Sequence, residues 1–118
     1  MTRQELAARR VVEETLRRLP AELREAAEPC TIEFARHSAE ADENDEEILG
    51  LFEGCSRLDG EPQEPADLPR ITLFLDHLWD FAGEDMAIFR EEVKTTLLHE
   101  LGHYLGLDED QVEKLGLA

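Results

Sequence analysis

Apolar residues in this chain follow two spacings, and the spacings predict its elements. Ala8, Val12, Leu16 and Leu19 share one face of a helix over residues 2 to 18. Thr2 followed by Glu5 has the pattern of a capping box at its start, and Pro20 closes it. Leu23 to Ala27 adds a short second turn. Thr31 to His37 alternates, with Ile32 and Phe34 pointing one way and Glu33 and Ala35 the other, which predicts a strand. Ala39 to Glu47 is almost wholly acidic and reads as a solvated loop, and Ile48 to Phe52 is a short strand or a turn packed on the sheet. Gly54 to Pro69, with Gly60, Pro62 and Pro65, is a surface loop.

Arg70 to Asp76 alternates again, Ile71, Leu73 and Leu75 against Thr72 and Phe74. The strongest period runs from Glu84 to Leu105, where Phe89, Val93, Leu97 and Leu101 recur every fourth residue. Gly106 supplies a helix stop, and Asp110 to Leu115 is one more short helix. The order is helix, strand, short strand, strand, long helix, short helix. This is an α+β fold on a small sheet.

A chain of 118 residues, 42% of them apolar, is expected to form one domain over 1–118. Its charge is lopsided: 12 basic against 29 acidic residues give −17. Such a surface repels phosphate backbones and anionic lipid, so neither nucleic acid nor a membrane is an expected partner. The carboxylates read as a solvated coat, with a preference for basic peptides as the functional alternative. No apolar run approaches the roughly 20 residues a bilayer requires, and the polar start shows no secretory signal, so a cytoplasmic location is expected. Cys30 and Cys55 make neither a disulfide framework nor a thiolate zinc site, and read as small hydrophobes.

Residues 99 to 109 read His-Glu-Leu-Gly-His-Tyr-Leu-Gly-Leu-Asp-Glu. Four residues advance a helix by about 400°, placing His99 and His103 roughly 40° apart and about 6 Å along the axis. Two imidazoles so placed converge on one cation, and neutral imidazole suits zinc. Glu100, one step round, reaches a water held there without itself being a ligand. Gly106 ends the helix and lets the chain turn back, which brings Glu109 forward as the third ligand. Asp108 competes, but Asp108 and Gln111 have the spacing of a cap for the last helix, which would occupy that carboxylate and favours Glu109. In a shuffled chain of this composition, His-Glu-x-x-His arises with a probability of about 2%, and the glycine and acid extension lowers that to roughly 3 in 10,000.

These residues resemble the extended zincin signature, His-Glu-x-x-His-x-x-Gly-x-x-(acid or His). From Leu19 to Gly116 the chain resembles the small bacterial zincin-like metallopeptidases, or minimal zincins. Supporting matches are Ile48 to Gly54, Leu68 to Phe74 and the Leu115-Gly116 end. The resemblance implies a minimal zincin-like fold, with a small mixed sheet packed on a long motif-bearing helix between an N-terminal helix and a short C-terminal one. It implies His99, His103 and Glu109 as zinc ligands and Glu100 as general base, with Glu109 standing where the family favours Asp. Metzincins share the glycine extension, but no methionine follows Glu109 here.

The activity this implies is zinc-dependent hydrolysis of a peptide or protein substrate, through a metal-bound water activated by Glu100. If Arg70 to Asp76 lies at a sheet edge, it aligns an extended peptide by backbone hydrogen bonds. Tyr104 and His77 are the other polar rings that could serve the site; their plainer readings are a half-buried aromatic and a loop residue after a strand. Trp79, Phe81 and Phe89 read as core. The alternative function is a non-catalytic domain that keeps zinc as a staple. Glu100 argues against it, because a purely structural site needs no base and takes four protein ligands.

Overall fold

Thr2 starts the first helix, α1 (Arg3–Arg18): its hydroxyl accepts the Glu5 N–H at 3.0 Å, while the Glu5 carboxylate pairs with Arg9 at 3.8 Å. The computed structural model describes residues 2–36, 48–56 and 63–114, without the side chain of Glu109. Ala8, Val12 and Leu19 are buried on the face that their spacing predicts, with Leu16 half-buried beside them. Pro20 ends α1 and leads into α2 (Ala21–Ala27), longer than the single turn expected.

Three strands follow: β1 (Thr31–Ala35), β2 (Gly50–Glu53) and β3 (Arg70–Phe74), in the order β1-β3-β2. β1 runs parallel to β3, with Ile32 opposite Ile71, and β2 runs antiparallel to it, with Gly50 opposite Leu73. The expected acidic loop and the end of the first predicted strand (His37) lie outside the described residues. The placement of β3 corrects the sequence reading, because it is the central strand and both its edges are already paired. Its inward residues Ile71 and Leu73 are fully buried and Phe74 on the opposite side is buried too, as suits a strand with neighbours on both sides. On the outward face Arg70 hydrogen-bonds Glu53 at 3.0 Å and lies 3.8 Å from Glu33, and the Glu53 bond raises its pKa above the ordinary arginine value.

Directly after β3 the chain enters a helix that the alternation hides, α3 (Leu75–Phe81). Phe74 serves as its N-cap without a side-chain hydrogen bond, so no capping residue marks the boundary. Leu75, read as the last apolar position of a strand, is instead buried on α3. Among the aromatic residues read as core, Phe89 is fully buried and Trp79 meets it edge-on at 5.5 Å. Phe81 is a correction: at the end of α3 it is 63% exposed.

The longest helix, α4 (Met86–Leu105), is capped by Asp85, whose carboxylate accepts the Ile88 N–H at 3.1 Å. Phe89, Val93, Leu97 and Leu101 are buried every fourth residue, each contributing about 1.5–3 kcal/mol by leaving water. Leu98, Tyr104 and Leu105 are buried as well, because α4 is packed against α1, α3 and the sheet and not against a single layer. A last helix, α5 (Glu109–Lys114), folds back onto it. This is the small α+β architecture expected, a mixed sheet on a long central helix. Cys30 is buried, and burial pushes its thiol up to about 11, so it behaves as a small hydrophobe. No helix among the described residues is long and apolar enough to cross a membrane.

Candidate metal centre

The last two turns of α4 carry both histidines. His99 and His103 are exposed on one helix face, with their Nε2 atoms 3.2 Å apart and ring centroids 4.8 Å apart. A tetrahedral ion with zinc–nitrogen bonds near 2.0–2.1 Å holds two nitrogen ligands about 3.3–3.4 Å apart. The separation of the two nitrogens is thus close to that of two ligands on one zinc ion. Their helical neighbours are buried, so the pair stands on a rigid base: Leu98 and Gly102 precede the two rings, and Leu101 lies between them.

Glu100 lies on the side of the helix that faces β2 and is half-buried. Gly50 explains how β2 comes so near. A Cβ at that position would lie 2.7 Å from Thr96 Cγ2 and 3.4 Å from Glu100 Cγ, so only glycine lets the strand approach the helix here. On the same strand Phe52 meets Tyr104 edge-on at 5.9 Å.

The helix end is a Schellman motif. Gly106 is left-handed at φ 73°, the Leu107 N–H donates to the Gly102 carbonyl at 2.8 Å, and the Gly106 N–H donates to that of His103 at 3.4 Å. The chain then reverses into α5 through a reciprocal cap: the Gln111 N–H donates to Asp108 Oδ1 at 2.8 Å, and the Asp108 N–H donates to Gln111 Oε1 at 2.9 Å. This is the box that the sequence spacing predicts, and it ties up the Asp108 carboxylate. Glu109 opens α5 one residue later, and its side chain lies outside the described residues. Among the described residues, no group of three metal-ligating side chains is assembled.

Gly102 makes the reversal tight, since a Cβ there would meet Val112 Cγ2 at 3.0 Å. Beside the His pair, between α4 and α5, a cleft of about 480 Å³ opens. His99 and His103 form one wall, and Leu98, Leu107 and Val112 supply apolar lining. Neither the cleft nor the roles of Gly50 and Gly102 were foreseen. A glycine inside a strand or an otherwise good helix is the sequence signal for such close approaches.

The two further polar rings lie elsewhere. Tyr104 is buried against Phe52, deeper than the half-buried position expected. His77 is not a loop residue but a buried member of α3, whose Nδ1–H donates to the Ile48 carbonyl at 2.7 Å. A carbonyl only accepts, so the bond itself assigns the proton to Nδ1.

Residues 28–117 match the family model of the zincin-like metallopeptidases, and the chain belongs to that family. No curated protein matches it.

Proposed function

We propose that the protein is a zinc-dependent peptidase in which His99, His103 and Glu109 hold the metal and Glu100 is the general base. The observation that carries this reading is the convergence of the two imidazoles at 3.2 Å, with the half-buried Glu100 next to them on the same helix. Capping of Asp108 supports Glu109 as the oxygen ligand, because a carboxylate already bonded to the α5 N-terminus is less available. When bound, zinc supplies a Lewis acid that acidifies water and polarises a carbonyl oxygen.

The protein's own part is positional and acid–base. Glu100 accepts the proton of the attacking water and passes it to the leaving amine nitrogen. Its place beside β2, half-buried, sets it apart from the exposed carboxylates of the coat. Among the described residues β2 pairs only with β3, so β2, and not β3, offers a free edge near Glu100 to an extended substrate backbone.

Glu100→Gln tests the reading. The variant is expected to keep one zinc per chain, measured by elemental analysis of untagged protein, while peptide hydrolysis falls by about 10²–10⁴-fold. Wild-type protein that holds zinc yet cleaves nothing in a broad peptide library would make this a metal-stapled, non-catalytic domain.

A further inference from the structure

The cleft beside the His pair has two kinds of surface. Its apolar part comes from Leu98 and Val112, both buried, and from Leu107, half-buried at the helix reversal. Its polar part on the α5 side is acidic: Asp108, Asp110 and Glu113 all line it, and neither lysine nor arginine is among its lining residues. Asp108 is engaged in the α5 cap; Asp110 and Glu113 are exposed on α5 itself. The cleft starts at the imidazole rings, so whatever fills it lies next to the bond that the site attacks.

We infer that this cleft is a specificity pocket for a lysine or arginine side chain flanking the scissile bond, an inference that rests on the hydrolytic reading of the His pair. A long basic side chain is the one type that satisfies both surfaces. Its methylene stem covers Leu98, Leu107 and Val112, and its cationic head ends among the α5 carboxylates. A glutamate in the same place meets three like charges. A neutral aliphatic chain of equal length fills the cleft but leaves the acids without a counter-charge. Asp110 and Glu113 are therefore specificity-determining residues, distinct from the proposed metal ligands and base.

The test uses the full zinc-loaded chain carrying Glu100→Gln, with peptides that differ only by lysine, norleucine or glutamate beside the cleavage point. Binding is read by fluorescence anisotropy at low salt. The lysine peptide is expected to bind about fivefold tighter than its norleucine isostere, and the glutamate peptide more weakly than both. Adding Asp110→Asn and Glu113→Gln should reduce the lysine preference to less than about twofold. Glu13→Gln with Glu22→Gln, an equal charge change at exposed sites outside the cleft, should preserve it. Equal binding of lysine and norleucine peptides, a preference that survives the α5 changes, or one lost equally in the remote control would overturn the assignment. Hydrolysis by the wild-type chain separates the two readings: cleavage without side-chain preference refutes the pocket alone, whereas preferential binding without cleavage upholds the pocket and refutes the peptidase.

Discussion

This chain holds imidazoles in two contrasting ways. His77 is buried in α3, where its Nδ1–H is committed to the Ile48 carbonyl at 2.7 Å and its ring packs near Phe74. That bond joins α3 to the residues entering β2, so His77 acts on the position of a strand. His99 and His103 are exposed, and their Nε2 atoms point at one another across 3.2 Å. The difference teaches that residue type decides little here. A histidine whose donor is fixed by a backbone carbonyl in the core is structural, while two whose nitrogens meet at the surface have the spacing of a ligand pair. The same contrast separates Gly50, where packing excludes any side chain, from Gly83, around which a Cβ would meet nothing within 4 Å.

His103→Ala should break the contrast most visibly. It is expected to lower zinc affinity by more than about 100-fold in a chelator competition, since even outer partners of a metal are worth 10–100-fold. The thermal stability of the metal-free protein should move by less than about 0.5 kcal/mol, because the side chain is exposed. His77→Ala should do the reverse. It leaves a part-buried carbonyl without its donor and removes ring packing, at a cost of about 1–3 kcal/mol in chemical denaturation, with zinc stoichiometry unchanged. A variant of His77 that lost zinc but not stability would dissolve the distinction. Gly50→Ala should cost a similar amount, about 1–3 kcal/mol, through its clash with Thr96 Cγ2, and Thr96→Ser should recover a smaller part of that loss by removing the methyl group. If the double variant is no more stable than Gly50→Ala, the strand is not held off the helix in this way.

Much of the fold was legible because local rules and packing agree. The Phe89–Val93–Leu97–Leu101 period, the Thr2 cap, the Gly106 stop and the Asp108–Gln111 box all appear where their spacing predicts. α3 was not legible. Ile71, Leu73 and Leu75 continue a strand-like alternation through a boundary that no capping residue, glycine or proline marks. Nor was the central place of β3, because alternation reports which way side chains point and says nothing about what pairs with the strand's edges. Phe81 was misread for a related reason: apolar character alone does not bury a residue at the last turn of a short helix.

Within the candidate site, the sequence alone determined the helical register that puts two imidazoles and a carboxylate in neighbouring positions, because helix geometry is local and needs only the spacing. It also determined where that helix stops and how the next begins. Tertiary structure alone decided that β2 lies against Glu100, that His77 is bound to the segment entering β2 and not to the site, and that α5 folds back to make a cleft beside the histidines. Those arrangements depend on contacts between residues distant in the chain, such as Gly50 with Thr96 and Gly102 with Val112, and no local pattern encodes which partner a missing side chain makes room for.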